Sequence, residues 1–383
     1  MILRQNRMNK GQKISISIIL AIIMLSIGLL AYPALAYAAP AQSGTAQRPD
    51  IDIYNEALEN FKSGNYAAAY SSFDQLCTVR KYGLGCWARG SMEESGNGRT
   101  ADAVKARASY AQGCNIGDEI SCSDLAAMQY NGNGGPRDIF NAKANYTKAC
   151  NGQKNQKSGC YYLGTMAEKG EGQEVNQSLA LSLFKKACNL GDPRGCNDTG
   201  RFYKNGFGVA MDKAMAGTFF QTACNGDNKY GCFNLAQAQM KGEGTALNYA
   251  LAKTNYEKSC NLGYAESCGA LAYVLRMVKY GTVEYAKAYQ FARKGCDQSN
   301  PYSCFQSGYL QQLGLGMAIK IDGAIADYII SCNGKNDTAC NNLGVIYNSG
   351  QGVTKNTQLA KTYYQKSCDL GYKDACDRAA AIK

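Results

Sequence analysis

The sequence predicts an all-α protein, an α-solenoid (superhelix) of about nine αα-hairpin repeats of 36 residues. Three observations predict it. Eighteen cysteines fall in pairs, and from Cys188 to Cys368 the first member of each pair advances by 36 residues every time. Cutting the chain at each second cysteine gives eight units, and position 21 of the unit is alanine in all of them, from Ala106 to Ala360. A G-x-G stands at positions 11 and 13 in seven of the eight, as in Gly170/Gly172 and Gly350/Gly352. A fixed period of this length marks stacked supersecondary units, each unable to bury its apolar face alone.

The chain opens with Arg4, Arg7, Lys10 and Lys13 and no acidic residue before a long apolar run. Small residues follow at Ala34-Leu35-Ala36 and Ala36-Tyr37-Ala38. This is the layout of a secretory signal over residues 1–38. The apolar run over 14–32 exceeds a usual signal core, so an uncleaved membrane anchor is the alternative. Without residues 1–38 the chain keeps 37 basic and 30 acidic residues, a surplus of +7 spread along its length. Such a surplus without a dense basic patch argues against nucleic acid as a partner. Residues 39–50 read as a linker.

Residues 51–85 read as an N-terminal capping hairpin, "IYNEALENFKSGNYAAAYSSFDQLC", with Ala69 and Phe73 in the places of the repeated alanine and aromatic. Residues 86–383 then hold eight repeats and a short C-terminal tail. Positions 1 to 10 lack proline and carry small or apolar residues at 4, 5 and 8, a helical spacing. The G-x-G ends that helix, because glycine tolerates the left-handed conformation of a C-terminal cap. A second helix carries the alanine and, four residues on, an aromatic at position 25 in seven units (Tyr110, Tyr146, Phe184, Phe220, Tyr256, Tyr328, Tyr364). An i, i+4 pair shares one helix face. The unit from Cys268 departs: it reads "LRMVKYGTVEY" where G-x-G is expected and has Phe291 one place early.

The pattern C-x-x-L/A-G/A, G-x-G, A-x-x-Y/F-Y/F, C-x-x-G…C resembles the Sel1-like repeat, a relative of the tetratricopeptide repeat. Its variant with cysteines eight apart is similar to the secreted cysteine-rich proteins first described in Helicobacter. The resemblance spans about residues 51–383 and implies an exported, disulfide-stapled solenoid, periplasmic or secreted. It also implies two activities reported among relatives: partner binding, and β-lactam binding or weak β-lactamase action.

With that frame, the cysteines read as nine local disulfides: Cys77-Cys86, Cys114-Cys122, Cys150-Cys160, Cys188-Cys196, Cys224-Cys232, Cys260-Cys268, Cys296-Cys304, Cys332-Cys340 and Cys368-Cys376. Export and an even, high cysteine count agree with this. Zinc sites favour gaps of two to four residues in pairs of pairs, and the chain has no histidine, so no metal and no cofactor is expected. Nine equivalent dithiols make no sense as one redox centre.

The absence of histidine removes Ser-His-Asp and Cys-His nucleophile pairs. A serine hydrolase of β-lactamase type would need an S-x-x-K, and one occurs at Ser182 and Lys185. The Y-x-N at Tyr203 and K-S-G at Lys157 stand in the wrong order, since the lysine element should come last. The preferred expectation is therefore a non-enzymatic scaffold, monomeric, binding a protein, peptide or cell-wall ligand on its concave face. Unit position 2 supplies the candidate contacts. It alternates aromatics (Trp87, Tyr161, Phe233, Phe305) with Ser123, Asn197, Gly269 and Asn341, and Arg201 at position 6 adds hydrogen bonding. Packing beside the disulfides is the plainer explanation of the same aromatics.

Overall fold

The computed structural model describes residues 48–152 and 156–382. The expected signal or anchor and most of the 39–50 linker lie outside them. Among the described residues there are nineteen α-helices, one 3-10 turn and no strand. None of the helices is long and apolar enough to cross a membrane.

The helices fall into two compact units, one ending at Asn145 and one starting at Tyr146. The first holds α1 (Asp50–Lys62), α2 (Tyr66–Thr78), α3 (Gly83–Ser95), α4 (Ala103–Ile116) and α5 (Glu119–Asn131). The division falls inside α6 (Ile139–Asn151). The second continues with α7 (Lys157–Lys169), α8 (Gln177–Asn189), α9 (Pro193–Asn205), α10 (Lys213–Asn225), α11 (Lys229–Lys241) and α12 (Tyr249–Asn261). It ends with α13 (Ala265–Arg276), α14 (Tyr285–Cys296), α15 (Pro301–Leu313), α16 (Ile321–Asn333), α17 (Asp337–Ser349), α18 (Thr357–Asp369) and α19 (Lys373–Ala381). Within each unit every helix packs on the next in sequence, and α13 also touches α15, as α9 touches α11. This is an α-solenoid built from antiparallel hairpins.

Local chemistry sets each boundary. Asn176, Asp212, Asn248 and Asn356 cap the second helices by accepting a backbone N–H three residues on. Asp192, Asn228, Asn300 and Asn336 do the same for first helices, Asp192 from the N–H of Arg194. The two glycines of G-x-G have different duties. Gly206 closes α9 in the left-handed conformation at φ 71°, and its N–H returns to the carbonyl of Phe202. Gly208 lies against the preceding hairpin, where a Cβ would stand 2.6 Å from the backbone of Gln177 and Ser178. Gly244 is tighter still against the carbonyl of Lys213.

Inside a hairpin the aromatic at position 25 sits on the small residue at position 5. A Cβ on Gly200 would come within 2.7 Å of the Phe220 ring, and one on Gly344 within 2.5 Å of Tyr364. Ala180, Phe184, Ala216, Phe220, Ala360 and Tyr364 are accordingly buried.

Each disulfide ties the last turn of a second helix to the first turn of the next hairpin. Cys188 and Cys196 stand near the ends of α8 and α9, with Gly191 at φ 81° between them and Pro193 as the first residue of α9. The nine bridges join Cys77–Cys86, Cys114–Cys122, Cys150–Cys160, Cys188–Cys196, Cys224–Cys232, Cys260–Cys268, Cys296–Cys304, Cys332–Cys340 and Cys368–Cys376. Their Cα–Cα distances run from 4.4 to 4.8 Å, and no cysteine is free.

Candidate binding surface on the first helices

The first helices of neighbouring hairpins lie side by side and share a ladder of side-chain contacts. Position 2 of one unit meets position 3 of the next, 37 residues on. Trp87 donates its indole N–H to Asp124 at 2.9 Å. Tyr161 lies beside Asp198, and burial and that carboxylate both push its phenol up. Asn234 donates to Asn197 at 2.9 Å, and Arg378 donates to Asn341 at 2.8 Å. Four of the seven candidate contact residues are thus engaged with the next repeat. Trp87 is 3% exposed, so its indole ring is enclosed by protein. Asn197 and Asn341 are buried as well, whereas Tyr161, Phe233 and Phe305 keep part of their surface open. Phe233 leans on Tyr256 and Tyr264, and Phe305 on Tyr309 and Tyr328.

The Trp87 rung is electrostatically distinct. Burial pushes the Asp124 carboxyl up to about 7; Glu94 and Asp118 push the same way, and the indole N–H opposes them. A short distance away, buried Arg89 donates to Asp74, Ser109 and Gln112, while buried Glu93 accepts from Ser109 and Tyr70.

Two clusters in the second unit keep aromatic and guanidinium groups partly exposed. In the first, Arg201 reaches Glu168 at 2.7 Å and Asp198 at 3.4 Å. Arg194 lies over the Tyr161 ring at 4.3 Å and is held by Asp192 at 2.7 Å. Burial raises Asp198, and Arg201 counters it. In the second, Arg276 lies over Tyr309 at 4.3 Å and over Tyr273 at 5.2 Å. Its Nε donates to Gln306 at 2.9 Å. This second cluster lies outside the column of residues at position 2. Its signal was there: tyrosine at position 6 in two consecutive units, with arginine at position 9 of the irregular one.

Ser182 and Lys185 occupy an exposed part of α8. The Ser182 hydroxyl donates to the Leu179 carbonyl of its own helix at 2.8 Å. The Lys185 ammonium reaches the Tyr203 hydroxyl at 3.4 Å. The two side chains do not bond each other, and they border an open surface depression with Lys186, Asn189 and Leu190. A serine nucleophile needs a base within hydrogen-bond reach. Among the described residues no group of three or more Cys, Asp or Glu side chains is arranged to hold a metal ion.

The Sel1 repeat family matches residues 120–153, 157–192, 193–228, 229–264, 265–300 and 337–372, more than half of the chain. No curated protein sequence matches it. Three solved structures illustrate the likeness. A protective antigen present in uropathogenic Escherichia coli strains, displaying an SLR fold, is 26% identical with a TM-score of 0.73; the match covers 81% of this chain and 67% of that one. A Sel1 repeat protein from Oxalobacter formigenes is 21% identical with a TM-score of 0.56, covering 64% of this chain and 96% of that one. Cysteine rich protein B of Helicobacter pylori is 32% identical over 35% of this chain and 96% of its own, with a TM-score of 0.30.

Proposed function

The chain belongs to the Sel1 repeat family, and on that premise we propose that it is an exported, non-enzymatic scaffold whose first helices bind a peptide or protein partner. One observation carries this reading. Along the first helices of the second unit, Tyr161, Arg194, Arg201, Phe233, Tyr273 and Tyr309 keep part of their surface open while their positions are fixed by neighbours. Tyrosine and arginine held in place lose little entropy on binding and dominate interface energetics. Nine disulfides suit an oxidising compartment.

The test is capture from cell-envelope extract by immobilised oxidised protein, beside Tyr161→Ala, Phe233→Ala and Ser182→Ala variants. Partners lost with Tyr161→Ala and Phe233→Ala but kept with Ser182→Ala support the reading. Partners kept by all three overturn it. So does turnover of a chromogenic cephalosporin that disappears in Ser182→Ala, which would make the chain a β-lactam hydrolase. Retention by isolated cell-wall sacculi alone, with no protein captured, would replace the peptide by a glycan.

A further inference from the structure

Arg276 differs from three other arginines on the first helices. Arg89, Arg194 and Arg201 each meet a carboxylate within 2.7 Å. Among the described residues no carboxylate pairs with Arg276. Two ring faces and one buried amide hold it instead: Tyr309 and Tyr273 flank the guanidinium, and Gln306, 1% exposed, accepts from Nε. Among the described residues, Nη1 has only the thioether sulfur of Met277 at 3.8 Å, and Nη2 has no hydrogen-bond partner. A partly exposed guanidinium fixed in orientation, with one edge unspent, is a preformed bidentate donor. Glu266, whose charge is felt at Tyr302, accepts from the Tyr264 hydroxyl at 2.8 Å. Burial raises the Tyr302 phenol to about 12.

The irregular turn contributes the rest. The unit from Cys268 lacks G-x-G, and α13 ends at Arg276 with a 3-10 turn at Val278–Tyr280. Arg276 is therefore the last helical residue. Tyr280 turns back onto Tyr273 and Tyr249, at 6.0 and 5.0 Å between ring centroids, and walls one side of the cluster. Charge complementarity and ring faces select one occupant: a carboxylate carried by a peptide, with apolar atoms beside it to lie on Tyr273 and Tyr309.

We propose that Arg276, fixed between Tyr273 and Tyr309, is the carboxylate-recognition point of the peptide-binding surface. This rests on the peptide-scaffold reading above. The carboxylate belongs to an acidic side chain or to a chain terminus, and the probes separate the two. They are three fluorescein-labelled pools of uncharged random decapeptides: one amidated with a central Glu, one amidated with a central Gln, and one with the central Gln and a free carboxyl terminus. Anisotropy is read on oxidised wild type, Arg276→Gln and Arg276→Lys, with folding checked by circular dichroism.

The expected result is binding about tenfold tighter for one carboxylate-bearing pool than for the amidated Gln pool. That preference should vanish in Arg276→Gln and weaken in Arg276→Lys, whose ammonium offers no flat fork. On wild type alone, the preference should shrink between about 50 mM and about 500 mM salt. Equal binding of all three pools, or a preference unmoved by both Arg276→Gln and salt, overturns the carboxylate assignment and leaves the peptide reading standing. Binding of none of the pools overturns both.

Discussion

The hairpin from Cys196 and the hairpin from Cys268 hold the same places in the repeat and solve the same packing problem differently. In the first, Gly200 at position 5 accepts the Phe220 ring at position 25. In the second, Ala272 and Ala292 occupy those positions, both fully buried, and Phe291 packs one place earlier into the core around Leu271 and Leu275. The first turns through Gly206 and Gly208; the second through a 3-10 turn and Gly281 at φ 120°. The first pairs Arg201 with two carboxylates, whereas the second leaves Arg276 to two tyrosine rings. Ring size and alanine exchange places so that the filled volume is kept, as close packing requires. Arg201 sits at position 6 inside its helix, whereas Arg276 sits at position 9, the last residue of its helix.

The largest expected effect tests what the two hairpins share. Replacing Cys224 and Cys232 by alanine, or Cys260 and Cys268, should each cost about 2.5 kcal/mol by the chain-entropy argument. Urea unfolding of the two variants measures it. Equal losses mean the joint acts independently of hairpin regularity; a loss near zero at Cys260–Cys268 would break that equivalence.

Next comes the ring on its glycine. Gly200→Ala should destabilise by about 2 kcal/mol, because the new methyl meets the Phe220 ring and the Ala216 carbonyl. An unchanged unfolding midpoint would show that the close approach is not enforced.

The two arginines should then diverge. Arg201→Met strands Glu168 and half-buried Asp198 and should cost about 1.5 kcal/mol. Arg276→Met leaves no charge stranded and keeps contact with the rings, so about 0.5 kcal/mol is expected. Equal losses would contradict the division of labour drawn between them.

A further effect concerns the first unit, where the ladder carries a titrating group. The folded carboxyl of Asp124 lies above its unfolded value, near 7 against 3.8. Its contribution to stability is full below the unfolded value and is lost as pH rises through about 7. With water reaching the group, about 1 kcal/mol should be lost between pH 5 and 9. Trp87 is the only tryptophan, so its fluorescence reports this rung directly. A midpoint near 7 that disappears in Asp124→Asn is expected; a flat signal in wild type would refute the assignment.

Most of the architecture was legible in the order of residues. Helices, turns, the alanine–aromatic face and the joint around Cys188 and Cys196 rest on neighbours within about ten positions or on a strict period. Gly191 and Pro193 carry their backbone meaning wherever they stand in a helix–turn–helix. The contact surface was legible only as a column of types at position 2. Whether Trp87 faces solvent or Asp124 depends on which residue of the next hairpin lies opposite, 37 positions away, and stacking geometry alone decides that.

The sequence by itself therefore determined the period, the hairpins and the nature of each joint, since backbone preferences and helical spacing are local properties. The tertiary structure decided which side chains are consumed by the stack and which remain for a partner. Asn197 and Asn341 are spent on neighbours, whereas Arg276 gives only Nε to Gln306 of the next hairpin and keeps its outer edge. That difference exists only where two first helices meet, because pairing between side chains is a property of the interface and not of either helix.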